Sequence, residues 1–303
     1  MVPPLVAVVG PTASGKSEWA LAIAQAFNGE VIGADSRQVY RGMAIGTAQL
    51  GPARRGRVPH HLVGHTDPSE RYNLVRFLAE ARAAIAEIRS RQCLPILAGG
   101  TGQYVWALLE GWSVPEIEPD LELRSYMEAR SMREGAGQLH ADLIAIDPQA
   151  AQRIAPTNVR RVIRALEVHA LTGKPISSWH ESRDPLEALV VAPALEREDL
   201  DARIERRVDS MFARGFVDEV RALLKSGLDS KESALESVGY PEVCRHLAGE
   251  ITRVETITAV KQATRKLARR QQRWFRRRDD RIHWLGHVEQ ALALVAVART
   301  VQS

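Results

Sequence analysis

Short apolar runs alternate with amphipathic segments of helix length over the first hundred positions. The apolar runs are Leu5 to Val9, Val31 to Ala34 and Leu94 to Ala98, and helical spacing is found from Gly15 to Phe27 and from Asn73 to Arg89. Continuous Val, Ile and Leu runs separated by helices are typical of parallel strands covered by helices on both faces. A further run, Leu189 to Ala192, lies much later in the chain. The pattern therefore predicts an α/β fold built on a parallel sheet.

The stretch from Ser113 to Arg183 shows no convincing strand pattern. Helical spacing instead recurs over Asp120 to Arg133, Gly137 to Ile146 and Asn158 to Leu171. An all-helical block between strands of one sheet indicates an inserted domain. We therefore predict a core of residues 1–112 and 184–303 and an inserted helical domain of residues 113–183. Helical spacing resumes at Asp199, and a last short strand is predicted at His283 to Leu285.

Composition narrows the class of protein. The chain has 303 residues, of which 45% are hydrophobic, 26% charged and 5% aromatic. These fractions are typical of a globular protein and exclude a disordered, collagen-like or membrane-spanning chain. The start, MVPPLVAVVG, lacks the basic region of a signal peptide. Two cysteines do not make a disulfide framework. We expect a cytoplasmic monomer without a membrane partner.

Positive charge is concentrated near the end of the chain. The formal net charge is +4, but residues 253–281 carry eleven Lys and Arg against three Asp and Glu. A basic segment on an otherwise slightly acidic chain indicates a polyanion-binding surface. The alternative is a solvated helix with a positive face.

A glycine-rich motif follows the first predicted strand and opens the first predicted helix. It matches G-x-x-x-x-G-K-[ST] at every fixed position and comprises Gly10, Pro11, Thr12, Ala13, Ser14, Gly15, Lys16 and Ser17. In this context the backbone N–H groups form an anion-binding nest at a helix N-terminus. Lys16 offers a cation to the phosphates and Ser17 offers a hydroxyl to Mg²⁺. The motif predicts a diphosphate or polyphosphate ligand with Mg²⁺ as cofactor, and it does not decide whether ATP binds.

An acidic residue is expected near this loop. The strand from Leu94 to Ala98 is followed by Gly99, Gly100, Thr101 and Gly102, with no carboxylate. Asp35, directly after the Val31 to Ala34 strand, is the acid expected to face the loop, because ligands of such sheets lie beyond the carboxyl ends of the strands. Its position alone is compatible with a metal ligand, a general base or a helix cap.

Seven segments, in order along nearly the whole chain, resemble tRNA dimethylallyltransferases. They are GPTASGKS at 10–17, DSRQVYRGMAIGTA at 35–48, LAGGTGQYVWALLEG at 97–111, RRVIRALEV at 160–168, RIERRV at 203–208, ESVGY at 236–240 and RRQQRWFRR at 269–277. The resemblance implies a P-loop NTPase-like parallel core with an inserted all-helical subdomain. The Cys/His set of a C-terminal zinc finger is not seen, so the chain resembles the bacterial type.

The resemblance also implies a reaction. This family transfers a dimethylallyl group from dimethylallyl diphosphate to N6 of the adenosine 3′ of the anticodon. Asp35 matches the general base, Arg207 matches a diphosphate-binding arginine, and Arg203 lies one helical turn before it. Loop amides, Lys16 and Mg²⁺ would stabilise the departing diphosphate. The alternative role for the two arginines is ion pairing with Glu205 or Asp201.

Further residues are implied to contact the tRNA anticodon stem-loop. They are Asp35, Ser36, Arg37 and Gln38 at the flipped base, with Thr101, Arg124, Arg160, Arg161, Val162, Ile163, Arg164, Ser237, Val238, Gly239, Tyr240, Arg269, Arg270, Arg273 and Trp274. The Gln38 amide suits an adenine edge, and arginines interleaved with Trp274 suit phosphates and unstacked bases. Phe275 is expected to be a core residue. Pro241 departs from relatives that carry a longer polar residue there.

Two other functions remain open from the residues alone. A nucleoside or nucleotide kinase would share the phosphate loop and the parallel sheet. It would leave the basic C-terminal segment without a role. A non-catalytic RNA-binding protein that uses ATP as a switch would explain the basic segment but not the Gly99 to Gly102 loop or Arg207.

Overall fold

The computed structural model describes residues 5–180, 184–229 and 232–301. Its six strands form one sheet in which every neighbouring pair is parallel, in the order β3-β2-β4-β1-β5-β6. The strands are β1 Leu5–Val9, β2 Gly29–Gly33, β3 His60–His61, β4 Leu94–Gly99, β5 Ala188–Pro193 and β6 Ile282–Leu285. The predicted α/β fold with a parallel sheet is confirmed.

Strand β1 lies inside the sheet and is buried along its whole length. Val6 pairs with Ile96 of β4 on one side and with Leu189 of β5 on the other. All five residues of β1 have no exposed surface, which explains their continuous apolar run. The carboxyl end of β1 is therefore flanked by the ends of β4 and β5, and the segments that follow these strands share one edge of the sheet.

Strand β2 begins at Gly29, earlier than the predicted Val31. Its first residues, Gly29 and Glu30, pair with β4. Glu30 is 6% exposed, and its carboxylate accepts hydrogen bonds from Arg91 and binds His61. An acidic residue does not match an apolar strand pattern, so a buried glutamate with paired charge escaped the prediction.

The helices cover the sheet and build the inserted unit. They are α1 Lys16–Phe27, α2 Pro52–Arg55, α3 Leu74–Ser90, α4 Gly102–Leu109, α5 Leu121–Glu134, α6 Ala136–Ile146, α7 Pro148–Arg153, α8 Val159–Thr172, α9 Arg197–Ala213, α10 Phe216–Lys225, α11 Tyr240–Leu247, α12 Arg253–Gln272 and α13 Val288–Val301, with 3₁₀ helices at Ile176–His180 and Ser233–Glu236. A core cluster joins β1, β2, β4 and β5 to α1 and α13. This packing fixes the start of α1 at the end of β1.

The chain divides into two compact units, one of Met1–Leu109 with Leu186–Ser303 and one of Glu110–Pro185. The second unit contains α5 to α8 and has its own apolar core, which includes Leu139, Leu143 and Leu166. The backbone N–H of Leu186 donates to the carbonyl of Leu109 at 2.9 Å. The chain therefore leaves the first unit and returns to it at neighbouring residues. Within the described residues, no helix has both the length and the apolar character needed to cross a bilayer.

Candidate active site

The phosphate loop lies between the end of β1 and the start of α1. Three of its residues have positive φ angles: Gly10 at 140°, Ala13 at 65° and Gly15 at 96°. Gly15 is also the N-cap of α1 in the left-handed conformation. Left-handed residues within such a loop turn backbone N–H groups toward one concavity, and the helix dipole adds partial positive charge there. The loop has the geometry of an anion site.

Lys16 stands at the first position of α1. Its Nζ donates to the carbonyl of Pro11 at 3.2 Å. Burial lowers the pKa of Lys16 to about 8, because desolvation outweighs the opposing attraction of the Asp35 charge. A lysine in this state is poised to gain its full charge when an anion binds beside it.

A cavity of about 420 Å³ opens beside the phosphate loop and is strongly cationic. Lys16 and Ser17 line one side of it. Five arginines also line it, namely Arg54, Arg203, Arg206, Arg207 and Arg214. Glu18 is the one acidic residue in this lining and pairs with Arg54 at 3.1 Å. The surplus of positive charge suits a multiply charged anion such as diphosphate.

Helix α9 supplies Arg203 and Arg207. Nη1 of Arg203 donates to the carbonyl of Ser14 at 3.3 Å, and Nη2 of Arg207 lies 3.4 Å from the carbonyl of Thr47. The Arg207 Nε is buried and has no partner within the described residues. Burial lowers the pKa of Arg207, although the Asp35 charge opposes the shift. An anion bound in the cavity would accept a hydrogen bond from this unpaired Nε–H.

Within the described residues, neither Arg203 nor Arg207 forms the alternative ion pair with Glu205 or Asp201. Asp201 lies near Arg197 and Arg265 instead. Glu205 instead contacts Lys261 at 2.8 Å and also binds Arg265, both on α12. Sequence analysis missed Arg54, Arg206 and Arg214 as cavity residues. The last two carried a signal, because they follow Arg203 and Arg207 at spacings that return to one helix face.

Asp35 lies just beyond the end of β2. Its Oδ1 accepts a hydrogen bond from the backbone N–H of Arg37 at 3.0 Å, which forms a local turn. The next helix begins at Pro52 with Gly51 as its N-cap, so the helix-cap interpretation of Asp35 is wrong. The Asp35 charge favours the protonated forms of Lys16 and Arg207, which places the carboxylate within electrostatic reach of the cavity.

The loop after β4 packs against the Asp35 turn. A Cβ on Gly99 would lie 2.0 Å from the carbonyl oxygen of Ala34, so only glycine permits this approach. Thr101 Oγ1 accepts a hydrogen bond from the backbone N–H of Ser36 at 3.0 Å. Thr101 and Ser36 therefore fix the turn that carries Asp35.

The segment after Asp35 is bound into the same unit. Nη1 of Arg37 donates to the carbonyl of Ser233. Gln38 Nε2 donates to the carbonyl of Thr47 at 2.9 Å. In this structure the Gln38 amide therefore holds the 43–48 loop, and its contact with an adenine edge stays a prediction.

Glu219 supports the 43–48 loop and was missed by sequence analysis. Its carboxylate accepts hydrogen bonds from the backbone N–H groups of Ile45 at 2.6 Å and Gly46 at 3.0 Å, and from the Tyr240 hydroxyl at 2.7 Å. Burial and the Glu219 charge raise the pKa of Tyr240 well above its usual range. No motif marked Glu219, because an acidic residue early in an amphipathic helix is a common surface feature.

The ESVGY segment is mostly structural. Tyr240 has no exposed surface, and Ser237 is 3% exposed with its hydroxyl donating to the carbonyl of Ala234. Both side chains therefore pack inside the protein, and their contact with tRNA stays a prediction. Val238 is half-buried and Gly239 is buried with a φ of 97°. Pro241 stands at the second position of α11, where a missing N–H has no cost.

Four residues of the inserted unit that were predicted to contact tRNA are paired or buried within the unit. Arg124 forms two hydrogen bonds to the fully buried carboxylate of Glu167, and Arg164 forms another, all at 2.7 Å. These half-buried guanidiniums neutralise a buried charge, and their contact with RNA phosphates stays a prediction. Val162 and Ile163 are buried in the core of the unit. Arg160 and Arg161 are exposed on α8 and remain available.

The basic segment divides into a paired part and an exposed end. Lys261 and Arg265 contact acids of α9. Exposed arginines cluster at the carboxyl end of α12, namely Arg269, Arg270 and Arg273. Trp274 is half-buried over Gly102, where a Cβ would lie 2.3 Å from the ring. Phe275 is 1% exposed, which confirms that it is a core residue.

The family model described as "IPP transferase" matches residues 38–278 of the chain. The chain belongs to the IPP transferase family. The resemblance that the seven motifs predicted is thus confirmed, and the chain is a prenyl-transferring enzyme. The nucleotide kinase and the non-catalytic switch are excluded as its primary function.

Relatives and solved structures agree over nearly the full length of this IPP transferase. A tRNA dimethylallyltransferase of Chloroflexus aurantiacus is 46% identical over 274 residues, which are 90% of this chain and 93% of the relative. The full-length tRNA isopentenylpyrophosphate transferase of Bacillus halodurans is 38% identical, with a TM-score of 0.71 and coverage of 97% and 96% of the two chains. A eukaryotic dimethylallyltransferase acting on tRNA is 29% identical, with a TM-score of 0.80 and coverage of 98% and 78%. The P-loop NTPase-like core that the motifs implied is confirmed.

Proposed function

We propose that this enzyme transfers a dimethylallyl group from dimethylallyl diphosphate to N6 of the adenosine immediately 3′ of the anticodon in tRNA. The observation that carries the proposal is the arginine-rich cavity beside the phosphate loop, with Asp35 within electrostatic reach of Lys16 and Arg207. Its relatives are tRNA dimethylallyltransferases, and this supports dimethylallyl transfer with tRNA as the acceptor.

The diphosphate of the donor fits the cationic cavity. Transfer breaks the bond between the dimethylallyl carbon and the diphosphate oxygen, and the bonding electron pair leaves with the diphosphate. Negative charge therefore develops on the diphosphate oxygen, and hydrogen-bond donors that are already in place must stabilise this charge. The Arg207 guanidinium with its buried Nε, the Lys16 amine and the backbone N–H groups of the phosphate loop would stabilise that charge.

Magnesium fits this site as a partner of the ligand. The described residues contain no group of three or more His, Cys, Asp or Glu side chains that would hold a metal alone. Mg²⁺ commonly takes few protein ligands and completes its shell with phosphate oxygens and water. Ser17 lines the cavity and would provide the protein ligand. When bound, Mg²⁺ would neutralise negative charge on the diphosphate.

Asp35 would receive the proton that the acceptor loses. The exocyclic amine of adenine is a weak nucleophile because its lone pair is delocalised into the ring. A carboxylate that takes the proton as the carbon–nitrogen bond forms assists such an attack. The base must leave the stacked loop to reach this site, which costs a few kcal/mol. We assign Arg160, Arg161, Arg269, Arg270 and Arg273 to the RNA backbone because their guanidiniums are exposed.

A transfer assay tests the proposed function directly. One reaction contains Mg²⁺, labelled dimethylallyl diphosphate and an unmodified anticodon stem-loop with adenosine 3′ of the anticodon, and a parallel reaction replaces the donor with γ-labelled ATP. We expect label in the RNA only with the prenyl donor. A stem-loop with guanosine at that position is the control and should stay unlabelled. Label transferred from ATP alone would overturn the proposal.

Diphosphate binding is expected to weaken as the pH rises through about 8, the pKa of Lys16 in the free enzyme. Below this pH the amine is charged and attracts the anion. Above it, binding must recruit a proton, and affinity falls by up to about tenfold for each pH unit. Calorimetric titration with inorganic diphosphate and Mg²⁺ from pH 7 to pH 9.5 measures the effect.

Diphosphate itself loses a proton in this range, so the matched control is Lys16→Gln. Diphosphate loses its proton in the same way with this variant, but the variant has no amine at position 16 that can titrate. We expect the difference between the two profiles to change sharply near pH 8. Parallel profiles would show that Lys16 does not control the affinity.

RNA binding is expected to depend on the exposed arginines at the end of α12. Replacing Arg270 and Arg273 together by alanine removes two cations available to phosphates. The slope of log K against log salt concentration should then become shallower by about 0.7–0.9 for each lost phosphate contact. Fluorescence anisotropy with a labelled stem-loop at several salt concentrations gives the slope.

Arg253→Ala is the control for the loss of charge. Arg253 is exposed at the first position of α12, and the helix has 20 residues, so this arginine lies about 30 Å from the other end. Its removal should leave the slope nearly unchanged. Equal slopes for the double variant and the wild type would make the carboxyl end of α12 a solvated surface.

A further inference from the structure

Gln271 joins the carboxyl end of α12 to the phosphate loop. Its Oε1 accepts a hydrogen bond from the backbone N–H of Thr12 at 2.7 Å, and both residues are more than nine-tenths buried. The basic and aromatic residues of this segment indicated RNA binding, and they gave no sign of a role for Gln271. The contact brings residues 259 positions apart in the chain together at the anion site.

The position of Gln271 on its helix explains how it reaches the loop. The buried face of α12 comprises Thr256, Val260, Thr264, Ala268 and Gln271. These residues recur at helical spacing, so Gln271 is the last residue of a buried face whose other members are small or β-branched. A glutamine there is held by the packing of the whole helix, and its amide has little freedom to swing away.

The same side chain also lies against the loop that follows β4. A Cβ on Gly100 would lie 2.4 Å from Gln271 Nε2 and 3.3 Å from the Gly10 carbonyl oxygen. Thr101, the next residue, accepts the hydrogen bond from Ser36 that fixes the Asp35 turn. Gln271 therefore lies between the phosphate loop and the loop that supports the proposed base.

Two arginines close to Gln271 in the chain face the solvent. Arg270 and Arg273 are exposed, and Trp274 covers Gly102 while its carbonyl accepts a hydrogen bond from Trp106 Nε1 at 3.3 Å. In this short stretch of chain, Arg270 and Arg273 thus face the solvent, and the amide of Gln271 contacts the phosphate loop. An RNA that immobilises this stretch also immobilises the group that holds the Thr12 N–H.

We propose that Gln271 is a positioning residue that couples RNA binding at the end of α12 to the geometry of the phosphate loop. This inference rests on the proposed function, because it takes the exposed arginines as RNA contacts and the loop as the diphosphate site. RNA bound at the arginines restrains Gln271, which restrains Thr12 and favours the loop conformation that binds diphosphate. Binding of either ligand then strengthens binding of the other by the same factor.

The coupling is measured with inorganic diphosphate, which is no prenyl donor, so no turnover intervenes. Calorimetry gives the Kd for diphosphate with Mg²⁺, with and without a saturating anticodon stem-loop. For the wild type we expect RNA to lower this Kd by about fivefold or more. Gln271→Met keeps the length of the side chain and removes the acceptor. It should raise the Kd without RNA and reduce the effect of RNA to less than about twofold.

Two further variants make the result specific. Gln272→Met changes the adjacent, exposed glutamine and should behave as the wild type does. Gly100→Ala leaves Gln271 in place but displaces its amide, and it should reproduce the loss of coupling even if Gln271→Met folds poorly. Thermal unfolding of each variant identifies any that are unfolded.

The outcomes separate this proposal from the proposed function. A wild type that binds no diphosphate, or whose RNA is not prenylated, would defeat the proposed function itself. A wild type that binds both ligands without affecting the Kd for diphosphate would overturn the coupling alone. So would a Gln271→Met variant that keeps the wild-type ratio of the two Kd values.

Discussion

We expect Asp35→Asn to lower the rate of prenyl transfer by about 10²–10⁴, the usual contribution of a general base. Asparagine retains an oxygen that can accept the hydrogen bond from the Arg37 N–H, so the turn is preserved. It cannot take the proton from the adenine amine. Single-turnover transfer with saturating donor and RNA measures the chemical step, and calorimetry with inorganic diphosphate should give an almost unchanged Kd.

Asp67→Asn is a matched control, because Asp67 Oδ1 accepts a hydrogen bond from the Ser69 N–H at 3.0 Å in a turn of the same kind. This substitution should not change the transfer rate. The two remaining interpretations of Asp35, general base and metal ligand, predict different Kd values for diphosphate in the Asp35→Asn variant. Loss of Mg²⁺-dependent diphosphate binding, with the chemical step intact, would identify Asp35 as a metal ligand instead of the base.

A second large loss of prenyl-transfer rate is expected when Arg207 is replaced. Arg207→Gln removes a half-buried cation whose buried Nε has no partner within the described residues. If that group meets the charge that develops on the leaving diphosphate, the single-turnover rate should fall by about 10²–10³. The Kd for diphosphate should also rise, which distinguishes this variant from Asp35→Asn. Rapid-quench transfer and calorimetry measure the two quantities.

Arg197→Gln tests whether any arginine of α9 would give the same loss. Arg197 is exposed in the first turn of α9 and lies 4.0 Å from Asp201. Such a surface pair contributes little, so we expect the rate of this variant to stay within about twofold of the wild type. A rate for Arg207→Gln equally close to the wild type would remove Arg207 from the reaction.

Sites that are built from consecutive residues could be predicted from the sequence. The phosphate loop needs its glycines, Lys16 and Ser17 in one turn between a strand and a helix, so the sequence alone identifies it. The strand β1 was equally clear because full burial requires a continuous apolar run. Arg203 and Arg207 were found through the family resemblance, and their helical spacing explains why both reach one cavity.

Contacts across the fold were not predictable from spacing. Glu167 is fully buried within α8, and the sequence does not show that the half-buried Arg124 and Arg164 neutralise its charge. Glu219 and Gln271 escaped for the same reason, since each acts on a loop that is far away in the chain. A polar residue on the buried face of an amphipathic helix was the one available signal for Gln271.

The hydrogen bond between Leu109 and Leu186 has a consequence for the evolution of this enzyme. The chain leaves the sheet-bearing unit and returns to it at neighbouring points, so this unit needs only a short bridge there. The entropy of closing a longer bridge grows with the logarithm of its length, by about 0.6 kcal/mol for each doubling. The helical unit can therefore change in length at a small entropic cost, while the register of the parallel sheet is preserved.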